Sequence, residues 1–145
     1  MTLPVVLDAE GLDAACDRHP PEQLRALLHE AWVRGREVLV PAVVCAEVCR
    51  GVPRTRRVEA AVARGGQQLG YRPPITVVVT DFDLARRVGS VLHGAGADSR
   101  DLVDAHVVAV CAQHGGGLVI TADGNDIERL ALAVPAVRVL TRRAR

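Results

Sequence analysis

Apolar residues in this chain fall into two kinds of run. Short runs rich in β-branched residues occupy positions 3–7, 37–40, 75–79, 117–121 and 136–140. Their continuous apolarity predicts strands buried on both faces. The longer segments between them carry helical spacing. Glu22–Arg34 sets Leu24, Leu27, Leu28 and Trp32 near one face, with Gly35 as its stop. Pro41 suits a first helical position ahead of Ala42–Arg50, and Pro53 does so for Arg54–Arg64, which Gly65 and Gly66 end. Asp81 or Thr80 caps a helix over Phe82–His93 that Gly94 closes. Asp101 caps Leu102–His114, closed by Gly115, Gly116 and Gly117, and a short helix covers Asp126–Leu132. Strands alternating with helices predict an α/β protein: one domain over residues 1–145, with a central, mostly parallel sheet of about five strands. The stretch between residues 41 and 66 contains no strand and reads as an inserted helical pair.

Four carboxylates interrupt this pattern. Asp8 ends the run Leu3–Leu7, and Glu47 stands between Ala42–Ala46 and Val48–Cys49. Asp104 stands between Leu102–Val103 and Ala105–Val108, and Asp123 follows Leu118–Thr121. A buried carboxylate is costly unless it is paired or binds a metal. Each also has an ordinary explanation. Asp8 can cap a helix starting at Ala9, Asp101 and Asp104 can form a capping box, and Asp123 to Asp126 can form a turn. Glu47 can pair with Arg50 on a surface stripe. Taken together, the four point to one edge of a parallel sheet, beyond the carboxyl ends of its strands, where sites form.

Composition narrows the choices. At 145 residues and 49% hydrophobic the chain can bury a core and is not disordered. No apolar run reaches the ~20 residues of a membrane span, and the N-terminus has no signal-type segment, so a cytoplasmic protein is expected. Cys16, Cys45, Cys49 and Cys111 show no Cys-x-x-Cys spacing and read as reduced core thiols; zinc held by them with His106 or His114 is a minor alternative. Net charge is +1, which argues against bulk duplex binding, yet all 18 basic residues are Arg. Arg50, Arg54 and Arg57, with Arg56 and Arg64, make the densest basic patch, suited to nucleic acid.

The order of the acids carries a resemblance. Asp8 follows the first strand, Glu47 lies on a helix after Pro41, Asp104-Ala105 opens an apolar helix, and Thr121-Ala122-Asp123 follows the next strand. This resembles the PIN-domain ribonucleases, especially the VapC-like toxins of type II toxin–antitoxin pairs, from Val5 to about Leu140. The resemblance implies a PIN-like three-layer α/β/α sandwich and a Mg2+- or Mn2+-dependent endoribonuclease site. Asp8, Glu47, Asp104 and Asp123 would be catalytic, with Asp8, Asp104 and Asp123 on the metal and Thr121, Asp126 and Asp101 supporting. It implies an RNA substrate, a homodimer and a cognate antitoxin protein. The chain departs from the pattern in Ala9, where many relatives carry a small hydroxyl residue, and in Asp126-Ile127, where Asp-Phe is frequent.

Other classes place the acids differently. The alternative reading is a non-catalytic PIN-like nucleic-acid or protein interaction domain. A phosphate-receiver domain wants a late Lys, which this chain lacks, and a Cys111–His114 nucleophile has no identifiable orienting acid.

Overall fold

The structure, a computed structural model, describes residues 2–62 and 74–145. Five strands form one sheet: β1 (Val5–Leu7), β2 (Val38–Pro41), β3 (Ile75–Val78), β4 (Gly116–Thr121) and β5 (Arg138–Arg143). Their order is β3-β2-β1-β4-β5, and every pairing is parallel. The sheet is thus wholly parallel where a mostly parallel one is expected. β1, β2 and β4 are buried throughout, as the runs of Val, Leu and Ile require. β5 is an edge, and its residues are half-buried or exposed.

Among the described residues seven helices cover the sheet: α1 (Ala9–Ala15), α2 (Glu22–Val33), α3 (Ala42–Val48), α4 (Val52–Ala61), α5 (Phe82–Ala95), α6 (Leu102–Gln113) and α7 (Gly124–Ala131). The result is an α/β/α sandwich. α6 is its centrepiece: Ala105 through Cys111 are all buried, and the helix packs on β1, β2, β4 and β5. α5 and α7 pack against α6, while α1 lies against β1 and β4. The inserted helical pair is α3 and α4, as the missing strand predicts.

Helix ends differ from expectation in instructive places. Pro41 closes β2 and caps α3 from outside, so it is not the first helical residue. α3 stops at Val48, short of Arg50. α4 starts at Val52 with Pro53 in its first turn; its expected glycine stop, with Arg64, lies outside the described residues. Gly94 sits inside α5, where an added Cβ would come within 3.0 Å of Ala133 Cβ, so it serves packing and not termination. Gly96 ends the helix with φ 62°, the left-handed conformation glycine adopts freely. Asp81 supplies the N-cap of α5, accepting from the Leu84 amide at 2.9 Å. Asp101 makes no cap bond to α6; a 3-10 turn over Ser99–Asp101 leads into that helix instead. α7 begins at Gly124, two residues earlier than expected, because Asp123 caps it.

Among the described residues no helix is long and apolar enough to cross a membrane.

Candidate functional site

β1 is the strand where the sheet reverses direction of growth: β2 and β3 lie to one side, β4 and β5 to the other. In open parallel sheets such a reversal opens a crevice at the carboxyl ends of the strands. Asp8 leaves β1 at this point. Its carboxylate caps α1 by accepting from the Gly11 amide at 2.8 Å. Its own amide donates to the Ile120 carbonyl of β4 at 3.2 Å. Gly11 makes this possible, because a Cβ there would lie 2.4 Å from the Ile120 carbonyl oxygen. Thr121, buried at the end of β4, completes the support. Its hydroxyl donates to the Asp8 carboxylate and accepts from the Asp123 amide at 3.0 Å.

Asp104 lies in the first turn of α6 and Glu47 in the last turn of α3. Of the four acids set among apolar residues, only Asp8 is buried, at 8% exposure. Asp104 is half-buried, and Glu47 and Asp123 are exposed. Apolar flanks mislead for Glu47 because α3 buries only Val44 and Val48, leaving a solvent face on which Glu47 sits. It lines a groove of about 230 Å³ with Ala9, Glu10, Asp13, Val48, Arg50 and Arg54.

Electrostatics gather these acids around Asp104. Burial, then the charges of Asp8, Asp126, Glu47 and Asp101, push the Asp104 carboxyl up to about 6. Burial also raises Asp8 above the ordinary carboxylate range, against the opposing hydrogen bonds from Thr121 and Gly11. Asp101 and Asp126 share one counter-ion, Arg129, at 2.9 and 3.8 Å. No guanidinium pairs with Asp8, Glu47 or Asp104 among the described residues. Asp123 stands apart: its carboxylate accepts from the Asp126 amide at 3.4 Å, and it is not among the charges that chiefly raise Asp104. The sequence gives no direct signal for Arg129, which reaches Asp101 across 28 positions.

The donors present suit a hard divalent cation, being carboxylates alone. In the described residues, however, no three His, Cys, Asp or Glu side chains are already arranged to hold an ion.

The other candidate chemistries fail on burial. All four cysteines are free, and burial pushes the Cys16 and Cys111 thiols up to about 12, so neither supplies a thiolate. His114 Nδ1 donates to the Val110 carbonyl at 2.9 Å. His106 is a core histidine, 4% exposed, whose Nδ1 donates to Leu102 O at 2.8 Å. The Arg patch is partly spent: Arg54 bonds Asp13 at 3.2 Å, while Arg50 and Arg57 are exposed.

Comparison with known proteins agrees with this frame. The model of the PIN domain family matches residues 6–132. A chain of the VapBC2 complex of Rickettsia felis, bound to a DNA fragment from its promoter, superposes with a TM-score of 0.64 at 13% identity, covering 97% of this chain and 99% of that one. DNA-bound VapBC of Salmonella typhimurium gives 0.61 at 17% identity, with 97% and 98% covered. FitAcB of Neisseria gonorrhoeae gives 0.58 at 16% identity, with 94% and 96% covered. These likenesses show a shared fold. No curated protein matches the chain by sequence. With a family model spanning most of its length and the five-stranded parallel sandwich in place, the chain belongs to the PIN domain family.

Proposed function

We propose that this protein is a metal-dependent endoribonuclease that cleaves RNA phosphodiester bonds, acting as the toxin of a toxin–antitoxin pair. The observation that carries the reading is the carboxyl of Asp104, raised to about 6 among Asp8, Glu47, Asp101 and Asp126 at the switch point of a PIN fold. Asp8 and Asp104 would hold Mg2+ or Mn2+, with Asp123 joining if its loop turns inward. A cation bound there supplies charge neutralisation and Lewis acidity toward a phosphodiester. The protein's own groups do the rest. Gly11 and Thr121 fix the Asp8 carboxylate from two sides. Glu47, exposed on α3, is free to orient an attacking water and accept its proton. Arg129 keeps Asp101 and Asp126 from adding their full charge to the cluster.

The likeness to chains of VapBC and FitAcB assemblies supports an antitoxin partner. A homodimer in a cytoplasmic setting, where free thiols persist, completes the reading. A second reading, a PIN-like interaction domain without catalysis, draws on the exposure of Glu47 and Asp123, with no ion-holding group preformed among the described residues.

Titration of Mg2+ and Mn2+ into purified protein with structured RNA tests the first reading. Cleavage should need the cation and vanish in Asp104→Asn. Cation-induced thermal stabilisation with RNA and DNA left intact would establish the interaction domain instead.

A further inference from the structure

We infer that Arg142 and Arg143, at the carboxyl end of β5, form the track that holds the phosphate backbone of single-stranded RNA leading into the acid cluster; this rests on the ribonuclease reading above. The register of the sheet places them. Ile120 pairs with Arg142 and Thr121 with Arg143, so both arginines lie level with the hydroxyl that supports Asp8. They help to line two grooves. One, of about 260 Å³, runs between the Thr121–Asn125 loop and the end of β5. The other, of about 490 Å³, runs between α2 and the β4–β5 face, with Arg36 on its wall and Leu118 and Ile120 beneath. Arg142 and Arg143 line both grooves.

Arg34, Arg54, Arg86, Arg87, Arg100, Arg129 and Arg145 are each paired with a carboxylate. Arg142 and Arg143 are exposed and make no ion pair among the described residues. Arg18, Arg25, Arg50, Arg56 and Arg57 are also exposed and without an ion pair among the described residues, but of these only Arg50 lines a groove beside the acid cluster. On the other flank of the cluster, Arg50 and Arg54 share their groove with three acids, Glu10, Asp13 and Glu47, whereas each β5 groove holds one, Asp123 or Glu30, against Arg142 and Arg143. Anionic polymer is therefore drawn in along the β5 side. Successive side chains of a strand leave opposite faces, so Arg142 and Arg143 reach out from the two sides of this edge, and each can grip a different phosphate.

The test uses the full chain carrying Asp104→Asn, so that binding is read without cleavage, and a fluorescein-labelled 12-nucleotide single-stranded RNA in EDTA. Anisotropy titrations at several salt concentrations give affinity and its salt slope. Adding Arg142→Gln and Arg143→Gln should weaken binding about tenfold or more and lower the slope by about 1.4, since each phosphate contact on a single strand contributes about 0.7. Arg18→Gln with Arg25→Gln, which removes the same charge elsewhere on the exposed surface, should change both far less. Equal losses in the two pairs, or no loss in the β5 pair, overturn the inference. So does dependence on Arg142 and Arg143 for binding polyglutamate but not RNA, which would mark an acidic protein partner. The underlying reading fails separately. RNA bound through Arg142 and Arg143 by a parent chain that never cleaves it sinks the nuclease and keeps the track; absence of RNA binding by the parent chain sinks both.

Discussion

Asp83 and Asp104 occupy the first turns of two helices, α5 and α6, that pack against each other, yet their carboxyls are driven in opposite directions. Hydrogen bonds from Arg87, Arg86 and Gln113 hold Asp83 below the usual carboxylate range. Burial and four neighbouring acids lift Asp104 to about 6. Helix position is the same; the company differs. Asp83 is one of several acids that Arg answers: Asp98 has Arg100, Glu30 has Arg34, Asp13 has Arg54. The crevice beside β1 differs. Asp8, Glu47 and Asp104 gather there without an Arg partner among the described residues, and the proposed function gives that omission a physical sense, since a cation would balance them.

The largest effect expected from breaking this contrast is on cleavage. Asp104→Asn should lower the rate of RNA cutting by about 100- to 1000-fold or more, the scale at which a group that stabilises developing charge acts. Asp83→Asn should leave the rate within about twofold. A single-turnover assay with both variants decides, and equal loss would erase the distinction.

Gly11→Ala comes next. Its Cβ would meet the Ile120 carbonyl oxygen, so α1 must shift off β4, at a cost of ~1–3 kcal/mol in urea unfolding. Because the same shift moves Asp8, cleavage should fall with it.

Stability against pH offers a third separation. The folded carboxyl of Asp104 is raised, so its contribution favours the folded state below the ordinary value near 3.8 and is lost as pH rises through about 6. Without added cation, unfolding experiments should show the protein losing ~1–2 kcal/mol between pH 4 and pH 7 from this group. Asp83 has the reverse sign: its contribution is present above its ordinary value and is lost only as pH falls below it. Asp104→Asn should flatten the first slope, and Asp83→Asn should leave it in place. Added Mg2+ should stabilise the parent more at pH 8 than at pH 5.

The smallest effect is Thr121→Val. It removes the donor to Asp8 and the acceptor of the Asp123 amide, costing ~1 kcal/mol and raising the Asp8 carboxyl further. An NMR titration of the Asp8 carboxyl carbon follows that rise.

Much of the fold is legible in sequence because a parallel sheet demands continuous apolar strands, and Val5–Leu7, Val38–Val40 and Leu118–Ile120 can serve little else. Helix ends are less so. A glycine near a helix end reads as a stop, yet Gly94 is small to admit Ala133, a neighbour 39 positions away along the chain. The site is legible where the chain itself fixes the acid, as at Asp8 after β1 and Asp104 in α6. It is hidden where long-range geometry decides. The turn and helix cap at Asp123 follow from its local spacing to Asp126, but nothing local shows that Asp126 acts on Asp104, or that Arg129 bridges Asp101 and Asp126. Exposure of Glu47 is hidden too, since α3 buries only the face that carries Val44 and Val48, and the apolar Ala46 beside Glu47 is itself exposed.

Contact between the backbone of α1 and that of β4 at Gly11 has a consequence for tolerance to change. Most helices float on their side chains, and trimming a methyl group lets them drift. Here the two main chains touch directly, so the edge that carries Asp8 is indexed to the sheet by a hard stop. Substitutions deep in the hydrophobic interior can therefore soften the molecule while leaving the Asp8 carboxylate where it was.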